Sequence, residues 1–389
     1  MGLEDLLIEN GQVLVNGRFE EVNIFVEKGR IARLAPVCSD DKNCLRLDAS
    51  GYKIVPGFID SHTHGGNGVD VNSASTSDLL KLSRYFAEQG TTGWLASIVT
   101  DTYEKTIRAI EQIRQAMSGA NPGAQLLGIH LEGPFLSRDY KGSMQENLLR
   151  KADLSLFEDY QKAAAGLIKY ITVSPEVDGV PQLIKELTGQ GVIVSMGHSG
   201  ADYETALHCI HNGATSATHT FNAMKLLHQH APGICGAVLE TDVFCEAICD
   251  GIHLHPGIVR LLLKTKGINQ VIAVTDSIMA AGLPDGFYNL GASRVKVADG
   301  DAKLVSDGTR AGSTLTTSKA LRNLVDFTGR KLEEVILPLT ENPAALLKLD
   351  PYKGSILEGN DADLVLLDES FRVDTTIVGG NIVFKRRLS

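Results

Sequence analysis

Long apolar runs and long basic runs are both missing from this sequence of 389 residues. A helix that spans a bilayer needs about 20 consecutive apolar residues, and no stretch of the chain reaches that length. The formal net charge of −10 also disfavours nucleic acids and anionic membranes, which attract basic surfaces. We therefore expect no nucleic-acid partner and no membrane partner.

Paired cysteine motifs are missing as well. The six cysteines are scattered without a Cys-x-x-Cys pair, which argues against a disulfide framework or a zinc ribbon. Residues 1–5 show no basic segment that leads into an apolar core and a cleavage site, as a secretory signal would. These features predict a cytoplasmic protein with free, mostly buried thiols at Cys38, Cys44, Cys209, Cys235, Cys245 and Cys249.

The signatures of several enzyme classes do not occur either. The chain has no Gly-x-Ser-x-Gly nucleophile elbow, no Walker phosphate loop and no complete dinucleotide fingerprint. Serine hydrolase, kinase and dehydrogenase chemistry are therefore disfavoured. The hydrophobic fraction of 43% and the charged fraction of 22% are typical of a globular protein, here with room for one large and one small domain.

Short apolar segments separated by turn residues are present at both ends of the chain. Asn10-Gly11 and Asn16-Gly17 lie between such segments, and Asn-Gly pairs favour hairpin turns because both positions tolerate positive φ. Residues 363–384 show a similar pattern. Neither end can bury a face alone, so we expect residues 1–53 and 355–389 to form one small β-sandwich domain.

Residues 54–354 instead alternate between apolar strand patterns and amphipathic helix patterns. Eight such strands predict a closed (β/α)8 barrel, a TIM-like fold of the α/β class, whose strands present their carboxyl ends on one face. The polar residues at these predicted ends are His62, His64, Glu132, His198, His219, Asp250, His253 and Asp276.

These strand ends predict a metal site. Alternate residues of a strand point to the same side, so His62 and His64 can bind one ion, although a short polar turn after a core strand is the alternative. Four imidazoles and two carboxylates placed together without a cation would be costly to desolvate. We therefore predict a divalent-metal site that contains His62, His64, Glu132, His198 and His219.

Seven motifs in the same order resemble the amidohydrolase superfamily, and within it the N-acetylglucosamine-6-phosphate deacetylases. The motifs are Pro56-Gly57-Phe58-Ile59-Asp60-Ser61-His62-Thr63-His64-Gly65, His130-Leu131-Glu132-Gly133-Pro134-Phe135, Gly197-His198-Ser199, Thr218-His219-Thr220-Phe221-Asn222-Ala223-Met224, Asp250-Gly251-Ile252-His253, Val274-Thr275-Asp276-Ser277 and Ala311-Gly312-Ser313-Thr314-Leu315. The resemblance spans nearly the whole chain.

This resemblance implies a role for each matching residue. Glu132, His198 and His219 match the principal metal ligands, and His62 and His64 imply a second ion bridged by Glu132. Asp276 matches the catalytic acid/base, and His253 the residue that steadies the scissile carbonyl and contacts substrate. Asn222 and Ala223 match the backbone segment that meets the sugar phosphate, and a homodimer is implied as well.

The residue chemistry fits the same reaction. Imidazole and carboxylate ligands suit Zn²⁺, with Fe, Mn, Co or Ni as alternatives, and one or two ions can be held. A bound ion with an open position lowers the pKa of its water from 15.7 to about 7, so hydroxide becomes available. Asp276 would then move the proton from water to the leaving amine, unless it serves only as a further metal ligand.

Two departures from the family pattern concern the substrate. His230, in Leu227-His228-Gln229-His230, stands where relatives carry a phosphate-binding arginine, and histidine is a weaker and pH-dependent donor. Met144 stands where relatives often place a histidine near the sugar. We expect His228 and His230 to replace the guanidinium if the substrate is phosphorylated.

The leading hypothesis is thus metal-dependent hydrolysis of the acetamide of N-acetylglucosamine 6-phosphate, or of a close amino sugar, to acetate and a free amine. The alternatives are an amidohydrolase that acts on an unphosphorylated N-acetyl sugar, a cyclic amide or an N-acyl amino acid. A non-catalytic barrel scaffold is the alternative from another class, and retention of all the metal ligands speaks against it.

Overall fold

The structure is a computed structural model that describes residues 5–36, 44–120, 122–290 and 293–387. Cys38 lies outside the described residues. Cys209, Cys235, Cys245 and Cys249 are buried free thiols, as expected. Within the described part of the chain, no helix combines the length and the apolar character that crossing a membrane requires.

The strands form three groups along the chain. Before the barrel lie β1 (Leu6–Glu9), β2 (Gln12–Val15), β3 (Arg18–Glu21), β4 (Asn23–Glu27), β5 (Arg30–Ala35), β6 (Leu45–Asp48) and β7 (Lys53–Pro56). The barrel region contains β8 (Phe58–Thr63), β9 (Gly65–Gly66), β10 (Val69–Asp70), β11 (Thr91–Val99), β12 (Gln125–Glu132), β13 (Ile168–Val173), β14 (Ile193–Met196), β15 (Ser216–Ala217), β16 (Phe244–Ala247) and β17 (Val271–Ala273). After it come β18 (Gly286–Leu290), β19 (Ser293–Ala298), β20 (Asp301–Leu304), β21 (Leu364–Leu367), β22 (Val373–Val378) and β23 (Asn381–Lys385).

The helices surround the barrel strands. They are α1 (Thr76–Glu88), α2 (Tyr103–Ser118), α3 (Leu154–Ala163), α4 (Val180–Gly189), α5 (Tyr203–His211), α6 (Gly233–Glu240), α7 (Pro256–Lys266), α8 (Thr317–Thr328), α9 (Leu332–Val335) and α10 (Glu341–Leu346). Single 3₁₀ turns lie at Glu146–Leu148, Ile268–Gln270 and Leu337–Leu339. In α1, a capping box of Ser75 and Asp78 starts the helix, and its buried face includes Leu79, Leu82 and Phe86.

The predicted parallel barrel is confirmed. Its eight strands pair in the order β8, β11, β12, β13, β14, β15, β16 and β17. The last strand returns to the first, where the Asp276 N–H donates to the His62 carbonyl at 2.9 Å. Buried Asp60 adds to this closure, because its carboxylate accepts the Thr275 hydroxyl at 2.6 Å. Burial raises the pKa of Asp60 to about 6.

The two ends of the chain form the predicted small β-sandwich. One sheet has the order β5, β4, β1, β6, and the other has the order β23, β22, β21, β7, β2, β3. The two sheets share one apolar core that includes Ile8, Ile24, Ile54, Leu364 and Ile377. The carboxyl-terminal strands β21 to β23 complete the sheet begun by β2 and β7, so each segment buries its apolar face against the other.

The apolar run before the histidines contains two strands rather than the single strand predicted. Lys53–Pro56 pairs with β2 and β21 in the sandwich, and the barrel strand begins at Phe58. Between them, a Cβ on Gly57 would lie 2.1 Å from the Thr92 hydroxyl oxygen, so the close approach of this link to the barrel strand β11 requires glycine. The division at residues 53/54 and 354/355 stays a prediction, and strand pairing carries the sandwich as far as Pro56.

A small sheet inserted after the barrel was not predicted. β18, β19 and β20 form an antiparallel sheet that packs on residues such as Ile278 and Ala311 beside the last barrel strand. Its sequence offered a usable signal, since Val295, Val297, Ala302 and Leu304 alternate with polar residues around a turn at 299–300. This sheet forms one wall of the cavity described below.

Candidate metal centre

The carboxyl ends of the barrel strands bring six predicted residues into one buried cluster. All six are at most 8% exposed. They are His62, His64, Glu132, His198, His219 and Asp276. Each lies at, or within three residues of, the end of its strand, where the side chain turns into the mouth of the barrel.

Glu132 lies at the centre of the cluster and joins two groups of ligand atoms. Its Oε1 is 3.1 Å from the Nε2 of His198 and 3.3 Å from the Nε2 of His219. Its Oε2 is 3.3 Å from the Nε2 of His64, which in turn lies 3.0 Å from the Nε2 of His62. One carboxylate therefore bridges two sets of donors, each compact enough for a single ion.

The tautomers of the four histidines leave lone pairs directed into the cluster. In each ring, Nδ1 lies against an oxygen that can only accept: Glu246 Oε2 for His62, the Ser97 carbonyl for His64, the Tyr140 carbonyl for His198 and the Asn222 carbonyl for His219. Nδ1 therefore carries the proton in the neutral ring, and Nε2 is unprotonated.

These lone pairs make the donor set fit a divalent cation. The Nε2 atoms of His198 and His219 are only 3.1 Å apart, and two unprotonated nitrogens at that distance repel each other without a positive charge between them. Imidazole and carboxylate donors of this kind suit Zn²⁺ and similar ions. The predicted metal ligands are thus brought together by the fold.

Three residues of the cluster have left-handed backbone conformations. The φ angle is 47° at His198, 31° at His219 and 48° at Asp276, a region that residues other than glycine rarely adopt. Each follows a barrel strand, and the reversal of the backbone turns the side chain inward. Such strain persists where the surrounding structure imposes it, and it concentrates at functional sites.

The charges of the cluster shift its pKa values strongly. Burial would lower the pKa of His62, but the carboxylates of Glu246, Asp276 and Glu132 outweigh burial and raise it to about 9. Burial would raise the pKa of Glu132, yet hydrogen bonds from the histidines lower it well below its usual range. Protons and a cation compete for the same nitrogens, so metal binding weakens as pH falls.

Asp276 and His253 follow the last two barrel strands, β17 and β16, and both line the same cavity. Asp276 Oδ1 is 3.2 Å from His64 Nε2 and 3.6 Å from His62 Nε2. The Asp250 carboxylate accepts from Nδ1 of His253 at 2.6 Å and also from its backbone N–H at 2.7 Å. Asp250 therefore fixes the ring of His253, whose Nε2 is left for the cavity.

The cluster forms the floor of a cavity of about 710 Å³. Of the predicted substrate-binding residues, Met144, Asn222, Ala223 and His253 line it, together with the predicted metal ligands His64, Glu132, His198, His219 and Asp276. His228 and His230 are exposed and are not among the described lining residues. The fold of one chain thus does not bring these two histidines to the cavity.

Sequence reasoning missed two sets of residues. The first is a basic rim on the cavity, formed by Arg138, Lys141, Lys303 and Arg310; these lie in loops and in the inserted sheet, where no periodic pattern marks them. The second is Glu246, which holds His62. Its signal was available as a single acidic residue inside the apolar strand Phe244–Ala247.

Comparison with known proteins gives consistent matches. The Amidohydrolase family matches residues 54–383. The N-acetylglucosamine-6-phosphate deacetylase of Bacillus subtilis is 40% identical over 98% of this chain and 94% of its own length. The human N-acetylglucosamine-6-phosphate deacetylase is 33% identical over 99% of this chain and 97% of its own.

A solved structure is similar over almost the same extent. It is a variant of the N-acetyl-D-glucosamine-6-phosphate deacetylase of Mycobacterium smegmatis in complex with N-acetyl-D-glucosamine-6-phosphate. The match has a TM-score of 0.91 and 30% sequence identity, and it covers 98% of this chain and 100% of that one.

The bridging position of Glu132 generates a testable prediction. Glu132→Gln should lower the content of bound divalent metal and the activity together. The glutamine amide supplies one neutral oxygen, whereas the carboxylate supplies two oxygens and a negative charge to the two donor sets. Metal analysis of the purified variant measures the first effect. Glu240→Gln, on the outer helix α6, is the control and should keep the wild-type metal content. Full metal content and normal turnover in Glu132→Gln would refute the assignment.

Proposed function

The chain belongs to the amidohydrolase family, as its motifs predicted, and from that premise we propose that it deacetylates N-acetylglucosamine 6-phosphate to the free amino sugar and acetate. One observation carries the proposal: the two donor sets bridged by Glu132 lie together with Asp276 and His253 at the floor of one cavity. Near full-length relatives named as deacetylases of this sugar phosphate support the choice of substrate. A cytoplasmic location stays a prediction.

The metal is proposed to be Zn²⁺, held as two ions. Glu132, His198 and His219 would hold the first ion, and His62, His64 and Glu132 would hold the second. Bound at these residues, the metal would supply an activated water and polarise the amide carbonyl. The nitrogen-rich donor set favours Zn²⁺ over ions such as Mg²⁺ that prefer oxygen ligands.

Asp276 is assigned the proton transfers. Its Oδ1 lies beside the Nε2 atoms of His62 and His64, where it can accept a proton from the attacking water. It then returns the proton to the amine nitrogen as the C–N bond breaks. Burial opposes ionisation of Asp276, but the neighbouring imidazoles outweigh burial and lower its pKa, so the carboxylate is ready to act as a base.

His253 is assigned to the oxygen of the acetamide. The Asp250 carboxylate 2.6 Å from Nδ1 holds the ring in place, and an imidazolium ring held there would donate from Nε2 as well. A donor held in this way stabilises the negative charge that develops on the oxygen in the tetrahedral transition state.

The sugar phosphate is assigned to the side of the cavity lined by Asn222 and Ala223, with a second copy of the chain completing the site. His228 and His230 lie on an exposed loop next to Leu226 and Leu227, whose exposed fractions are 76% and 55%. Exposed apolar side chains on one loop favour burial against a partner. In a homodimer this loop would carry His228 and His230 to the partner's cavity.

Light scattering on the purified protein tests the dimer. We expect a mass twice that of the single chain, and Leu226→Asp with Leu227→Asp should reduce it toward one chain, because the charges cannot be buried without partners. The pair Leu261→Asp and Ile258→Asp, on the exposed side of α7, is the control. A monomeric wild type would contradict the proposal.

Asp276→Asn should reduce turnover of N-acetylglucosamine 6-phosphate by about 10²–10⁴, the usual contribution of general acid–base catalysis. The amide keeps the shape of the side chain but cannot accept the proton. Acetate release measures turnover, and metal analysis shows that the ions remain. Asp159→Asn, on the exposed face of α3, is the control. Activity within a few-fold of wild type would rule the role out.

His230→Arg should improve affinity for the phosphorylated sugar at pH 8, by up to roughly 1.5–3 kcal/mol if a charged hydrogen bond forms in a desolvated site. A neutral imidazole cannot supply the charge that a guanidinium keeps at this pH. The measurement is kcat/KM for N-acetylglucosamine with and without its 6-phosphate at pH 6 to 8.

His211→Arg, on the outer end of α5, controls for added surface charge in this comparison. At pH 8 the wild type should favour the phosphorylated sugar less strongly than His230→Arg does, because the guanidinium is always charged. Equal use of both sugars at every pH would move the assignment to an unphosphorylated N-acetyl sugar.

A further inference from the structure

Glu246 is a carboxylate buried inside the barrel, beneath the metal cluster. It lies on β16 and its exposed fraction is 0%. A buried charge is costly unless several donors satisfy it. Here Oε1 accepts the Tyr170 hydroxyl at 2.7 Å, while Oε2 accepts from His62 Nδ1 at 3.0 Å and from the His219 N–H at 3.2 Å.

The contact between Glu246 and His62 decides which nitrogen of the neutral His62 ring carries the proton. Because an ionised carboxylate only accepts, Nδ1 must donate and Nε2 keeps its lone pair. An amide at position 246 could present its NH₂ group instead and would stabilise the opposite tautomer, with a proton on Nε2. Carboxylates that hold metal-binding histidines in this way also raise the basicity of the ring.

The same residue holds the turn that carries His219. Its side chain accepts from the His219 N–H, and its backbone carbonyl accepts from the Thr220 N–H at 2.8 Å. His219 has a φ angle of 31°, so these two bonds support a strained turn. However, only the contact with His62 reaches the ring of a predicted ligand. That ring belongs to the donor set of His62, His64 and Glu132.

Charge favours the same conclusion. Glu132, Asp276 and Glu246 surround four imidazoles with three carboxylates. Without Glu246, the two remaining carboxylates balance one divalent ion, and two ions would leave an excess of two positive charges. With Glu246, the excess at two ions falls to one. The third carboxylate therefore favours uptake of a second ion, since unbalanced charge in a buried site is costly.

From these contacts we propose that Glu246 is a positioning residue that enables the chain to hold a second divalent ion at His62, His64 and Glu132. It acts through His62 and touches neither the substrate nor the ion. The inference rests on the proposed metal-dependent function, and it concerns how many ions the chain holds and how tightly.

The test is a Co²⁺ titration of the full chain after chelation, followed by visible absorption, with Zn²⁺ content measured in parallel. Wild type should bind two ions per chain. Glu246→Gln should keep the tighter ion and bind the other about 10–100-fold more weakly, the usual cost of losing a residue that orients a ligand.

Tyr170→Phe is the matched control, because it removes a hydrogen bond from the same buried carboxylate without touching His62. It should bind both ions within a few-fold of wild type. In a His62→Gln background, Glu246→Gln should have no further effect on the weaker ion. If Glu246→Gln does not fold, Glu246→Asp replaces it, and the same selective weakening is expected from the shortened carboxylate.

The proposal is overturned if wild type binds a single ion, if the folded position-246 variant binds both ions normally, or if it loses both ions equally. Acetate release by wild type is measured separately. If the wild type does not release acetate, the proposed function is contradicted. If the wild type releases acetate and the position-246 variant binds both ions as the wild type does, only the role of Glu246 is contradicted.

Discussion

The site depends on one constraint: each of its four imidazoles has its Nδ1 nitrogen committed to an oxygen that can only accept a hydrogen bond. That commitment directs four lone pairs into one buried cluster of two donor sets, where neighbouring nitrogens lie as close as 3.0 Å. Two of the accepting oxygens belong to the loops that bound the cavity, those of Tyr140 and Asn222. The loops that line the cavity therefore also fix the rings of two predicted metal ligands, His198 and His219.

The barrel transmits the same constraint to the backbone. His198, His219 and Asp276 adopt left-handed conformations directly after their strands, and the neighbouring hydrogen bonds leave little room for relaxation. Gly312 illustrates how tight the packing is, since a Cβ there would lie 2.8 Å from the Asp276 carbonyl oxygen. A rigid scaffold of this kind holds reacting groups in place without reorganisation, which is how electrostatic stabilisation of a transition state becomes effective.

The walls of the cavity come from elements outside the barrel pattern. The inserted sheet brings Lys303 and Arg310 to its rim, where both pair with Asp301 at 2.7 and 2.9 Å. On the rim contributed by the loop after β12, Arg138 and Lys141 add positive charge. A cavity with basic side chains on its rim and predicted metal ligands on its floor suits an anionic amide substrate, in agreement with the proposed sugar phosphate.

The sequence by itself determined the barrel and the sandwich built from both ends of the chain, and it singled out the six residues that the fold brings into one buried cluster. Local patterns sufficed for these features, because alternation, helical period and polar residues at strand ends are properties of neighbouring residues. The sequence did not show the boundary between β7 and β8, since both strands are apolar. They are separated by Gly57 alone, and the nearby Thr92 leaves no room there for a side chain.

Only the tertiary structure decided which buried residues act together. His62 and His130 both lie in apolar strands, yet the ring of His130 is held by the hydroxyls of Ser97 and Thr172 at 2.8 and 2.9 Å, while His62 meets Glu246. These partners are 33 to 184 residues away along the chain. Tautomer, charge and metal affinity depend on such contacts, which no local pattern in the sequence encodes.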